Sequence, residues 1–130
     1  MDVRAAMVAD PKTLPSHASV TAARDAFADE HVHLLLLVEG RELVGTLTRD
    51  DLAGEHPPQM SALDLATLEG RVIAPDVPLD EAGARMRDTG RRRLAVVDGE
   101  GRLLGLLCLK RHGRGFCTAE DLASRRSSQA

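Results

Sequence analysis

The apolar positions of this chain fall into two runs of one pattern. Val20, Ala23 and Phe27 recur as Leu79, Ala82 and Met86, a displacement of 59 (20 to 79) at the i, i+3, i+7 spacing of one helix face. The same displacement lays Thr13-Leu14 on Val72-Ile73, and Leu37-Val38-Glu39-Gly40 on Val96-Val97-Asp98-Gly99. One extra residue in the second turn makes it 60 (43 to 103), and Leu43-Val44-Gly45-Thr46-Leu47 then falls on Leu103-Leu104-Gly105-Leu106-Leu107. A unit of this size buries its apolar face poorly alone. Two copies packed together share a core and leave two equivalent clefts between them, where small ligands bind.

The pattern predicts a lead-in helix over Val3–Val8, stopped by Asp10-Pro11, and a short strand at Lys12–Leu14. A helix follows from the N-cap Ser19 to about Glu30. The unbroken apolar run Leu34–Val38 reads as a strand buried on both faces, turned at Glu39-Gly40-Arg41 into a return strand Glu42–Leu47. A short helix over Thr48–Ala53 closes the first unit. The second unit repeats the order: lead-in helix Ala62–Thr67, strand Arg71–Ile73, helix Leu79–Thr89, and a hairpin of Leu94–Val97 and Arg102–Leu109 around Asp98–Gly101. Gly83 costs its helix roughly 1 kcal/mol relative to Ala, which marks a place of close packing. Lys110–Gly115 then intervenes before Phe116-Cys117 and a last helix from Thr118 to about Arg125. The expected organisation is residues 1–54 as the first unit with its lead-in, 55–61 as linker, 62–124 as the second unit with an insertion at 110–117, and 125–130 as a flexible tail.

Composition narrows the function. Of 130 residues 43% are hydrophobic but only 2% aromatic, with no Trp or Tyr, so the core is expected to be aliphatic, and the scarcity of rings argues against a base-stacking platform for single strands. The formal net charge of −3 argues against nucleic-acid binding, although Lys110, Arg111, His112 and Arg114 form a local basic loop. Two cysteines make no disulfide framework, and Cys108, between Leu107 and Leu109, reads as a small core residue. His31 and His33 share one side of a strand, yet no third ligand signals a metal. No leader or membrane-spanning run is read, so a cytoplasmic protein is expected, and no G-x-S-x-G, H-E-x-x-H or P-loop pattern suggests an enzyme.

Val3-Arg-Ala-Ala-Met7, the segment Glu39–Leu52 (EGRELVGTLTRDDL) and the segment Arg91–Leu107 (RRRLAVVDGEGRLLGLL) together resemble the CBS domain, named after cystathionine β-synthase, in its tandem pair. The resemblance spans Val3 to Leu122. It implies an α/β (α+β) fold: two βαββα units packed by pseudo-twofold symmetry. It also implies a regulatory module that binds an adenosine-containing ligand (AMP, ADP, ATP or S-adenosylmethionine) between the units, forms a homodimer and modulates an effector protein. With no effector domain evident in this chain, that partner is expected in trans.

The resemblance assigns Thr48 to ligand phosphate and Asp51 to ribose hydroxyls, with Arg49 between them. The chemistry is apt: a hydroxyl and a strand-to-helix turn offer donors, and a carboxylate offers only acceptors. The same Thr-x-x-Asp also fits a reciprocal cap, in which Asp51 accepts from the Thr48 backbone. The second copy has Cys108 and Arg111 at these places, and Thr118-Ala-Glu-Asp121 restores the motif after the insertion, so Thr118 and Asp121 are candidates for the second cleft. Arg92 and Arg93 are candidate phosphate ligands, with strand alternation expected to turn Arg91 and Arg93 to one side and Arg92 to the other. An interaction module with vestigial clefts is the alternative, and nucleic-acid binding through the basic loop the weaker one.

Overall fold

A computed structural model describes residues 1–111, 113 and 115–117. Its elements in chain order are helix α1 (Val3–Ala6), strands β1 (Val8–Ala9) and β2 (Thr13–Pro15), helix α2 (Val20–Ala26), strands β3 (Leu35–Glu39) and β4 (Glu42–Leu47), strand β5 (Val72–Ile73), helix α3 (Leu79–Thr89), and strands β6 (Arg93–Val97) and β7 (Leu103–Cys108). One-turn 3-10 helices at Asp50–Leu52 and Ala62–Leu65 stand where longer helices are expected. Helix α2 opens at Ser19, whose side chain accepts from the Ala22 N–H at 3.1 Å. It ends before Glu30 because the chain tightens: Ala28 and Asp29 donate three residues back, and the Asp29 carboxylate accepts from the His31 N–H at 2.9 Å.

One sheet has the order β2-β3-β4 and the other β1-β7-β6-β5. In each, a parallel pair (β2 with β3, β5 with β6) adjoins an antiparallel hairpin. Both hairpins slip register at matching places, Leu37/Val38 and Val96/Val97. The bulges let each hairpin twist without losing the inward face of its strand.

The halves are tied by mated hydrogen bonds. Val20 N donates to Met60 O at 2.8 Å and Leu79 N to Met1 O at 3.0 Å; Ala62 N donates to Ala18 O at 2.9 Å and Val3 N to Val77 O at 3.0 Å. Leu43 N donates to Gly101 O at 3.0 Å and Leu103 N to Arg41 O at 2.8 Å. Each bond is the image of its mate under the displacement seen in the sequence, which is the signature of a pseudo-twofold axis.

The lead-ins cross over. Strand β1 pairs with β7, and Thr67 pairs with Thr46 of β4. Val3 is buried with Ile73, Ala82 and Met86 of the second half, while Ala62 is buried with Val20, Ala23 and Leu47 of the first. Two glycines make room for this. A Cβ on Gly45 would lie 2.7 Å from the Ala66 Cβ, and one on Gly105 would lie 2.7 Å from the Val8 carbonyl oxygen. A third cluster, Leu34, Leu36, Leu43 and Ala95 with Val72, Val97 and Leu106 against it, joins the two sheets through aliphatic side chains.

The insertion closes on itself. Lys110 N donates to Gly115 O at 3.0 Å, Gly113 N to Lys110 O at 2.8 Å, and Arg87 Nη1 of α3 holds Gly113 O at 3.0 Å. The chain then returns beside β7, where Cys117 N donates to Cys108 O at 2.7 Å. A Cβ on Gly83 would lie 3.1 Å from Arg87 Nη1 and 3.6 Å from the Phe116 ring, so the tight neighbour is the end of an arginine and the contact with Phe116 would be ordinary.

Candidate functional site

Two neighbouring cavities lie where the halves meet. The first, about 220 Å³, is walled by Val8, Pro11, Val32, Leu34, Leu36 and Leu106, with Asp10, Lys12, Asp29, His31, His33 and Arg93 at its polar margin. The second, about 200 Å³, is lined by His33, Leu34, Thr48, Gly90, Arg91, Arg92 and Arg93. His33, Leu34 and Arg93 belong to both, so an apolar chamber and a cationic one share a wall. Together they reach the size of small-ligand sites, roughly 300–1,000 Å³.

The cationic chamber follows from how α3 ends. Gly90 takes a left-handed conformation (φ 69°), and Arg91 N donates back to Met86 O at 3.0 Å. This helix stop needs a residue without a Cβ penalty, and it throws the chain sideways. Arg91 and Arg92 therefore sit in the link before β6, where the side-to-side alternation of a strand has not begun. All three arginines are half-buried and line the same chamber, contrary to the expected division between two faces. Arg92 is fixed by its carbonyl, which accepts from Leu109 N at 2.8 Å.

His33 reports the field. Its pKa is lowered to about 4, first by burial and then by Arg93, Arg49 and Arg92, so the imidazole is neutral at neutral pH. Arg49 itself donates through Nη2 to Phe27 O and Asp29 O, each at 2.9 Å, and lies 5.1 Å from the Phe27 ring centre. It clamps the end of α2 and lends its charge to the chamber from behind.

Thr48 lines the cationic chamber beside Arg92 and Arg93. Asp51 does not reach the lining. Its Oδ2 accepts from the Thr48 N–H at 2.8 Å, while Asp51 N donates to Thr48 O at 3.2 Å. The carboxylate is also gripped in two-pronged fashion by Arg71 of the second half, Nη1 to Oδ2 at 2.5 Å and Nη2 to Oδ1 at 3.2 Å. Arg71 is 7% exposed, donates to Thr46 O at 3.2 Å, and leaves its Nε without a partner among the described residues. Desolvation pushes the Asp51 carboxyl up, but the hydrogen bonds from Arg71 and Thr48 outweigh it and hold its pKa below the usual carboxylate range.

At the corresponding turn of the second half, Cys108 is buried and Arg111 is exposed. Thr118 and Asp121, and with them His112 and Arg114 of the basic loop, lie outside the described residues. Arg71 and the Val8–Lys12 wall escaped sequence reasoning. The 59-residue displacement carries Val8 onto Thr67, but nothing in either segment says that each pairs with the other half.

No helix among the described residues is long and apolar enough to cross a membrane. No group of three or more His, Cys, Asp or Glu among them is arranged to hold a metal ion.

Inosine-5'-monophosphate dehydrogenase from Aquifex aeolicus is 32% identical over 108 residues, which cover 80% of this chain. The chain spans only 22% of that dehydrogenase's length. Among solved structures, CBSX2 in complex with AMP superposes with a TM-score of 0.71 at 21% identity, covering 99% of this chain and 98% of that one. The cytosolic domain of the Mg2+ channel MgtE in complex with ATP gives 0.65 at 24% identity, covering 80% of this chain and 44% of that one. The family model described as "CBS domain" matches residues 2–56 and 69–111. With both repeats matched and folded as mates about one axis, this chain belongs to the CBS domain family.

Proposed function

We propose that this protein is a ligand-sensing module that takes an adenosine-containing molecule between its halves and passes the occupancy of that cleft to a partner protein in trans. The observation that carries this reading is the shared wall of the two cavities. A purine fits the aliphatic chamber of Val8, Pro11, Leu34, Leu36 and Leu106, and its phosphates extend to Thr48 and the three arginines. The AMP and ATP named with CBSX2 and MgtE support the ligand class. A ligand alters the packing of the halves only as far as it prefers one arrangement. The Arg71–Asp51 pair is the contact through which it would act: Asp51 meets ribose hydroxyls only by loosening its hold on a residue of the other half. Recognition and rearrangement are then one event.

Calorimetric titration with AMP, ATP and S-adenosylmethionine tests this. At least one should bind, with Thr48→Val weakening it by roughly tenfold, the worth of one charge-assisted hydrogen bond. Flat titrations with all three would remove the reading. They would favour an interaction module with vestigial clefts, which the engagement of Asp51 by Arg71 already suits. Homodimer formation belongs to both readings and is checked by sedimentation.

A further inference from the structure

After β7 the chain folds back as a short antiparallel ladder, and its register pairs the two cysteines. Leu109 lies opposite Phe116. On one flank of that pair Lys110 N donates to Gly115 O at 3.0 Å, and on the other Cys117 N donates to Cys108 O at 2.7 Å. Cys108 and Cys117 are therefore directly opposed, one step along the same register. Opposed residues of an antiparallel ladder put their side chains on one face, with Cα atoms about 5.5 Å apart where the pair is hydrogen-bonded. A disulfide needs Cα atoms roughly 4.4–6.8 Å apart. Both residues are thiols, and they are 1% and 2% exposed. Burial keeps solutes from the sulfurs as long as residues 115–117 stay on β7. What holds them there is slight: the two ladder bonds, the bond from Arg87 Nη1 to Gly113 O at 3.0 Å, and one partly buried ring, Phe116. A segment held by so little parts from its neighbour without unfolding the rest.

We propose that Cys108 and Cys117 form a reversible dithiol–disulfide switch that ties residues 115–117 to β7, reached when that segment parts from the strand. The co-reactant is a low-molecular-weight disulfide. Cys117, on the segment that moves, gives its proton to solvent, and its sulfur attacks one sulfur of the small disulfide. That S–S bond breaks, and one thiolate leaves and takes up a proton. The Cys108 sulfur, deprotonated in turn, attacks the Cys117 sulfur of the mixed disulfide and expels the second thiolate, which is protonated likewise. One protein disulfide forms, and one small disulfide is reduced by two electrons to two thiols. On its other side Cys108 is paired with Arg93 of β6, which lines both cavities, so the tie adjoins the cleft. The switch does not depend on which molecule the cleft takes.

The test incubates the full chain with glutathione disulfide and follows it by intact mass and tryptic mapping. The chain should lose two hydrogens and retain no glutathione. Trypsin should release residues 103–110 joined to residues 115–125, and a reductant should separate them. The oxidised chain should melt about 5 °C higher, since the cross-link restricts the unfolded state. Cys108→Ala should stop at one glutathione on Cys117, the adduct that the parent chain resolves. Arg87→Ala should oxidise about threefold faster or more and reach the same end point, because it loosens the segment without touching either sulfur. A stable adduct of two glutathiones, or a disulfide between two chains, would overturn the pairing. Thiols that stay reduced in the folded parent and Arg87→Ala chains but react in urea would overturn it as well. An Arg87→Ala rate equal to the parent's would overturn the route of access.

Discussion

Across the cleft, two equivalent segments face one another with opposite character. In the first half the segment leading into the central strand is Val32-His33-Leu34; at the same place in the second repeat it is Arg91-Arg92 and the first strand residue, Arg93. The backbones are mates, so the fold does not distinguish them. Their side chains make one side of the cleft neutral and the other strongly cationic. A second contrast runs along the ends of the return strands. Leu47 leads to Thr48-Arg49-Asp50-Asp51, a closed turn that holds Arg71 of the other half, whereas Leu107 leads to Cys108 and an insertion. Duplication supplied a symmetric scaffold. The positions where the copies have diverged are the ones that give the cleft its charge.

The sharpest way to break the comparison is at the symmetric level. Gly45→Val and Gly105→Val should each destabilise by about 3 kcal/mol, because both put atoms into a lead-in segment already at contact, Ala66 for the one and Val8 for the other. Urea midpoints of the two variants should fall together; a large loss in one and none in the other would show that the crossings are not equivalent.

The Asp51–Arg71 pair has no described counterpart in the second half, so it should be felt as an asymmetry. Arg71→Met should cost about 2 kcal/mol, less than a fully buried pair because the Asp51 side chain is 20% exposed. Its pH dependence has a definite sign. Asp51 titrates below its unfolded value, so its contribution is present at neutral pH and is lost as the pH falls below about 4, through the folded pKa. Urea midpoints followed into acid should drop less steeply in Asp51→Asn than in the parent.

His33 sharpens the contrast between the facing segments. Because its pKa lies near 4 in the folded chain, the unfolded chain binds a proton first as the pH falls. Stability is lost from about pH 6.5, the free imidazole value, and the loss is complete near 4. His33→Gln should flatten that stretch of the stability profile. The smallest effect belongs to the insertion. Arg87→Ala removes one bond to the Gly113 carbonyl and should lower stability by about 1 kcal/mol or less, read as a shift in melting temperature.

Much of this was legible in residue order. The displacement of 59 and then 60 located both helices, both hairpins and both return strands, and α3 has the bounds that its pattern predicts. Ser19 announced its own cap. The short elements fared less well, since a lead-in of one turn and a closing turn of one 3-10 helix carry too few positions for periodicity to speak. The site was half legible. Thr48 and the arginine run stand out as residue types, but strand alternation begins only at Arg93 and does not govern Arg91 and Arg92. Arg71, a single cation before a two-residue strand, gave no signal that it would reach Asp51.

The sequence alone determined that there are two copies, that their interiors are aliphatic, and where one copy carries cations that the other lacks. These are properties of composition and spacing, and burial of apolar side chains enforces them wherever the chain turns. Tertiary structure alone decided which half each lead-in joins, which carboxylate is already taken, and that three consecutive arginines share a chamber. Hydrogen bonds and ion pairs between residues far apart in order depend on distance and direction, which an axis between two folded halves sets and no local pattern encodes.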